Sequence, residues 1–234
     1  MKHRETLALI LVVFIIQNVV LFGMNNPDLS LFFLKGIAYT EQQAFDYALL
    51  FLWYVPMFFI LNYYSGDLTM YLRGYGQLLL IRGKSKNQLL FKQYGKMILS
   101  LFGLGMIELL SSYIFDAYHS KGLITILAAF MMYYGMLVCI LSIQWILELF
   151  MSPNLANICA NVYVISSIFA YPMLKGKSVY CYMFIVNFGM STRSNIEHIY
   201  GSIYQTNYML GIMGTIILAT IIISIKKFQK NDFI

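Results

Sequence analysis

The sequence predicts an all-α polytopic membrane protein with six transmembrane helices, on three observations: its composition, its long unbroken apolar runs, and the uneven placement of its basic residues. Of 234 residues, 60% are hydrophobic and only 11% charged, with a mean hydropathy of +0.70. Soluble domains are about 45–50% apolar and about 25% charged. Apolar surface on this scale belongs in lipid, since in water exposed patches of that extent aggregate. Crossing a hydrocarbon core of about 30 Å takes roughly 20 helical residues. Stretches near 6–24, 44–63, 97–115, 123–147, 155–174 and 207–225 meet that length. The runs are continuous rather than alternating, which favours helices over a barrel, and each helix satisfies its own backbone in lipid. One membrane domain over 1–234 is the expected organisation.

The first run follows Met1-Lys2-His3-Arg4-Glu5 and has no small-residue cleavage site, so it is expected to stay as a span. After it, Asn25-Asn26-Pro27-Asp28 signals a turn, and the short apolar run Leu29 to Leu34 is expected to rest on the outer interface. The connection Asp116 to Gly122 is tight and the next is little more than Ser152-Pro153-Asn154, so spans three, four and five are expected to be neighbours. Ahead of the last span, Val179 to Val186 is apolar but too short to cross, and a re-entrant or interfacial outer segment is expected. With the N-terminus inside, Lys2, Arg4, Arg73, Arg82, Lys84, Lys86, Lys92, Lys96, Lys226, Lys227 and Lys230 are cytoplasmic, 11 of the 16 Lys and Arg residues. Lys35, Lys121, Lys175, Lys177 and Arg193 are then outside. That split predicts both termini in the cytoplasm, and it explains the net charge of +6 without a nucleic-acid partner.

The connection between spans two and three, residues 66 to 96, carries six basic residues against one acid. Leu68, Tyr71, Leu72, Tyr75 and Leu79 fall at helical spacing, so residues 67 to 81 are expected to form an amphipathic helix. Arg82-Gly83-Lys84-Ser85-Lys86-Asn87 then breaks the pattern, and Gln88 to Tyr94 resumes it as a second amphipathic piece. Gly83-Lys84-Ser85 is not a phosphate-binding loop: that motif places a glycine at position 78, where Leu78 stands. The segment reads either as a basic face against anionic lipid headgroups or as a docking element for a soluble partner, to which a defined turn between two amphipathic pieces is better suited.

Six spans, both ends inside, a basic amphipathic connection after span two, a tight fourth connection and a long apolar outer loop before span six together resemble the permease subunit of a type-2 ABC exporter. The stretch from Gly74 to Gln93 resembles small permeases of Gram-positive bacteria that export, or give immunity to, bacteriocin-like peptides. The resemblance implies a separate ATPase subunit that binds ATP and Mg, a second permease copy or homologous permease, and location in the cell membrane. It also implies that Arg82, Lys84, Lys86 and Asn87 face the ATPase, with Leu79, Leu89 and Phe91 filling the apolar part of that contact. Many such permeases begin with an amphipathic helix before span one; the residues ahead of Thr6 leave no room for one, which removes support for a lipid-facing access route.

Glu108 lies deep in span three and is expected to face the bundle interior or to carry a proton, in either a substrate or a structural role. Glu148, at the inner end of span four, is expected to be solvated or paired with a basic residue of the coupling segment, and Asp46 to be solvated at the outer end of span two. Asn157 and Asn161 of span five read as interhelical hydrogen bonds or as part of a substrate pathway. His3, His119 and His198 have no ligand partner at helical spacing, and Cys139, Cys159 and Cys181 have no zinc or redox spacing, so no metal or cofactor is expected on this chain. No nucleophile-and-base motif is present, so the chain is not expected to be an enzyme. Two other readings remain open: the substrate-binding membrane subunit of a vitamin importer, and a stand-alone membrane protein that binds anionic lipid through its basic loop.

Overall fold

A computed structural model describes residues 2–24, 31–37, 47–73, 85–115, 122–173, 178–194 and 206–230, all helical or irregular, with no strand among them. In chain order the helices are α1 (Lys2–Gly23), α2 (Phe32–Lys35), α3 (Tyr47–Tyr64), α4 (Asp67–Arg73), α5 (Lys86–Phe115), α6 (Leu123–Glu148), α7 (Pro153–Met173), α8 (Ser178–Cys181), a 3-10 turn (Ile185–Gly189) and α9 (Thr206–Lys230). Six of them, α1, α3, α5, α6, α7 and α9, are long and apolar enough to cross a membrane. The chain is a polytopic membrane protein.

The hub is α6. Half of its apolar stretch lies buried, 50%, against 22% in α1 and in α9, and it packs against α2, α4, α5, α7, α9 and the 3-10 turn. A helix apolar on every side fits such a position, because no face of it needs water. Spans three to five follow the short connections as expected: α5 packs on α6 and α6 on α7. The α5 helix is longer than its predicted span. Its 30 residues reach about 45 Å at 1.5 Å per residue, because the second amphipathic piece, Gln88 to Tyr94, continues the span without a break.

Both short segments between spans bury apolar side chains in the bundle, although Tyr180 and Met183 of the second stay exposed. Phe32, Phe33, Leu34 and Ile37 are at most 3% exposed, so the described part of the run expected on the outer interface, 31–34, is enclosed within the chain. The reason is a paired neighbour. The Ser191 N–H donates to the Leu34 carbonyl at 2.8 Å, and the Thr192 N–H to the Lys35 carbonyl at 3.2 Å. Gly36, with φ +71 and ψ −158, sits in a backbone region that is essentially glycine's alone, and any Cβ there would collide with the Met190 side chain. Val186, Asn187 and Phe188 are fully buried. The two segments form a cap at one end of the bundle; α4, the start of α5 and the α6–α7 turn form the other end.

Prolines interrupt two spans, and each is answered from another element. Pro56 lies inside α3 and offers no N–H to the carbonyl four residues back, that of Leu52. Gln17 of α1 donates its amide to that carbonyl at 3.1 Å. In α7, Pro172 likewise leaves the Ile168 carbonyl without its helical donor, and Arg193 Nη1 approaches it at 3.4 Å. Gln17→Leu is therefore expected to lower stability in detergent by about 1 kcal/mol, and Gln17→Leu combined with Pro56→Ala to recover most of that loss. Thermal unfolding of the four-variant cycle measures the coupling; independent, additive effects would refute the proline-compensation account.

Candidate functional site

The richest convergence of polar groups lies where α3 hands over to α4. The last carbonyls of a helix lack intrahelical donors, and in α3 two of them are served from α6: Gln144 Nε2 donates to the Leu61 carbonyl at 3.1 Å and Trp145 Nε1 to the Tyr64 carbonyl at 3.4 Å. One turn further along α6, Glu148 Oε1 accepts the Gly66 N–H at 2.9 Å. The Ser65 hydroxyl donates to the Pro153 carbonyl at the start of α7, 3.3 Å away. Gly66, at φ +82, makes the tight reversal without the steric cost a Cβ brings in the left-handed region. Leu68 of α4, fully buried, completes the contact with an apolar anchor. The α3–α4 junction is thus fastened to both α6 and α7.

Glu148 departs from its expected place. It is 4% exposed and holds a backbone N–H and, more distantly, the Gln144 amide at 3.5 Å, and its Oε2 has no hydrogen-bond partner among the described residues. The physical cause is competition: an N–H at the start of a helix needs an acceptor, and the junction delivers it to the carboxylate. Gln144 and Trp145 escaped the sequence reading, although a Gln and a Glu four residues apart in an otherwise apolar helix mark one polar face near its end. Glu148 also lines a cleft of about 590 Å³ between α4 and the α6–α7 turn, with Thr69, Met70 and Phe150 among its walls.

Of the residues expected to face an ATPase, Leu79, Arg82 and Lys84 lie outside the described residues, as do Asp46, His119 and His198. Lys86 is the first residue of α5, and Asn87 follows it on the same helix. Leu89 is 3% exposed and packed within its own chain, whereas Phe91 is 55% exposed. The described part of the amphipathic segment is therefore a short α4 and a continuous α5, with Phe91 as the apolar side chain presented outward.

The intramembrane polar residues fall into two sets. Glu108 is fully buried; its Oε2 receives the Tyr133 hydroxyl at 3.4 Å, and its Oε1 has no partner among the described residues. The backbone carbonyl of Glu108 takes the Ser111 hydroxyl, which in turn accepts from Asn18 of α1. Tyr133 is held edge-on by Phe33 and Trp53, with centroids 5.4 and 6.4 Å away. The second set is a ladder between α3 and α7: Asn157 donates to Asn62 at 2.8 Å, Asn161 to Asn157 at 3.0 Å, and the Tyr54 hydroxyl to Asn161 at 2.6 Å. Every one of these bonds crosses or braces a helix pair. Glu108 and the asparagine ladder do not meet at one centre. Cys139, Cys159 and Cys181 are free thiols, and among the described residues no three His, Cys, Asp or Glu side chains gather as a metal site would require.

If the junction is fastened by Glu148, Glu148→Ala leaves the Gly66 N–H buried and unmatched at a cost of about 1–3 kcal/mol, whereas Glu148→Gln keeps an acceptor in place. Amide exchange across residues 66–70 is expected to speed up roughly tenfold or more in the alanine variant, and little in the glutamine variant. Equal exchange in both would remove the fastening role.

Comparison with known proteins places these features in a family. The chain is 26% identical over 238 residues to "Uncharacterized protein YybK" of Bacillus subtilis (strain 168), an alignment covering 96% of this chain and 95% of that protein. No solved structure matches it. A family model described as "Protein of unknown function (DUF2705)" matches residues 10–234, taking in most of the first span, the other five spans, both capping segments and the α3–α4 junction, and the chain belongs to that family.

Proposed function

We propose that this chain is the transmembrane subunit of an ATP-driven exporter of the type-2 ABC kind, moving amphipathic peptides or lipid-like molecules out of a bacterial cell. A separate ATPase subunit, which binds ATP and Mg, docks on the basic segment between α4 and α5, and a second permease copy or homologous permease completes the pore. The 11 cytoplasmic basic residues of the charge tally put that segment on the ATPase's side of the membrane.

The observation that carries this reading is the fastening of the α3–α4 junction. The basic segment leaves the bundle through α4, and α4 is bound to α6 by Glu148 and through Ser65 to the start of α7. A push delivered to residues 79 to 91 therefore acts on the hub of the bundle rather than on a loose loop. ATP-driven closure of the partner shifts the population between bundle arrangements by its different affinity for each. Arg82, Lys84, Lys86 and Asn87 supply the polar part of the contact in this scheme, and Leu79 and Phe91 its apolar part, with Leu89 bracing α5 from inside.

The test is a triple charge reversal, Arg82→Glu, Lys84→Glu and Lys86→Glu, with ABC-type ATPase subunits of the same cell co-expressed as the bait. Co-purification is expected to fall at least tenfold, since each reversed charge at such a contact costs about 1 kcal/mol or more, while the permease remains monodisperse in detergent. Unaltered binding would overturn the docking site. An export assay in vesicles containing both subunits then separates docking from transport.

A further inference from the structure

The cleft of about 590 Å³ between α4 and the α6–α7 turn is of a size that holds a small ligand, and three features of its walls bear on what it takes. Glu148 is the first. Its Oε1 is committed to the Gly66 N–H at 2.9 Å, while its Oε2 is shielded from water and has no hydrogen-bond partner among the described residues. A carboxylate oxygen in that condition is costly, and a donor brought to it offsets the cost. Because one oxygen is already taken, a group that needs a single acceptor suits the site better than a guanidinium, whose fork engages two.

The end of α6 is the second. This helix runs for 26 residues and stops at Glu148, so the negative end of its dipole falls at the cleft and favours a cation there. Thr69 lines the same cleft; its hydroxyl donates to the Gly66 carbonyl at 2.9 Å and keeps lone pairs that can accept from a ligand. Third, the remaining wall is apolar and presented outward. Met70 is 60% exposed and Phe150 57%, with Leu149 and Met151 beside them. The Phe150 ring already draws a cation, Lys227 of α9, whose Nζ lies 4.5 Å from the ring centre, yet that ammonium does not supply the missing bond to Glu148 Oε2. Methionine side chains repack around an apolar guest at little cost, which lets a donor reach the shielded oxygen.

We propose that this cleft binds an amphiphilic primary amine, with its ammonium on Glu148 Oε2 at the end of α6 and its apolar chain along Met70 and Phe150. The charge of the wall selects a cation, and the single open acceptor selects an ammonium that carries N–H donors. Since the same carboxylate fastens the α3–α4 junction, a bound amine adds a tie at that turn. The site stands whether or not an ATPase docks on the basic segment.

The test uses the full chain in phosphatidylcholine nanodiscs, which carry no net charge, and titrates hexylammonium and hexanol by calorimetry, with empty nanodiscs as the blank for partition into lipid. The wild-type protein is expected to bind hexylammonium roughly tenfold or more tighter than hexanol, the factor a hydrogen bond to a charged group contributes. Glu148→Gln keeps an acceptor for the Gly66 N–H, so amide exchange at residues 66–70 should hold while the preference for the amine disappears. Met70→Lys, a change at an exposed position, should weaken the amine more than the alcohol, because it sets a like charge at the mouth of the cleft. Equal binding of the two probes by the wild type, a preference for the amine that survives Glu148→Gln, or equal effects of Met70→Lys on both probes would overturn the proposal. Hexyltrimethylammonium reads the hydrogen bonding: it should bind several-fold more weakly than hexylammonium, and equal affinity would overturn the assignment of a primary amine.

Discussion

Inside a bilayer a peptide group that leaves its helical ladder has no water to turn to, and the architecture of this bundle is organised around the places where that happens. The Leu52 carbonyl, released by Pro56, is met by Gln17 of α1. The Ile168 carbonyl, released by Pro172, is met by Arg193 from the outer cap. The ends of α3 and the start of α4 are met by Gln144, Trp145 and Glu148 from a single turn of α6. Each interruption thereby becomes a tie between two elements, and the ties fix which helices are neighbours.

The two ends of the bundle are closed in different ways, which bears on any movement. At the capped end two backbone-to-backbone bonds join the segments, Ser191 to Leu34 and Thr192 to Lys35, and Arg193 is 1% exposed beneath them. Its Nε bonds the Ile37 carbonyl at 3.1 Å, its Nη1 bonds Asn187 at 2.5 Å, and its guanidinium lies 4.5 Å from the Tyr171 ring centre. A planar cation with several donors suits a position where many carbonyls converge. At the other end the ties run through side chains, and two clefts open beside them. Opening the cap breaks paired backbone, whereas the ties at the other end each pair one side chain with one backbone group.

The polar residues in the middle of the membrane divide the structure from the chemistry. The Asn157–Asn161 ladder spends its hydrogen-bonding capacity on Tyr54 and Asn62, as interhelical packing requires. Glu108 keeps one carboxyl oxygen without a partner among the described residues, and the other is met by Tyr133, whose ring packs on Phe33 and Trp53. A carboxyl in that setting is costly, and only the Tyr133 hydroxyl offsets part of the cost.

The sequence by itself determined the class and the count: apolar runs of spanning length are a local property, and six of them are readable without knowing what touches what. It also determined that short connections make α5, α6 and α7 neighbours, since a few residues cannot reach further. What it could not show was which polar side chains would be consumed in tying the bundle together. Glu148 looked like a solvated helix end and Arg193 like one more outer-loop charge, because burial depends on partners distant in the chain, Gly66 and Ile37, rather than on neighbours in sequence. The run Leu29 to Leu34 looked interfacial for the same reason: its apolarity is local, but the Ser191 N–H that pairs with its described end at Leu34 comes from about 157 residues away. Only the tertiary structure decides such matters, since unsatisfied backbone groups choose among all donors that the fold brings within reach.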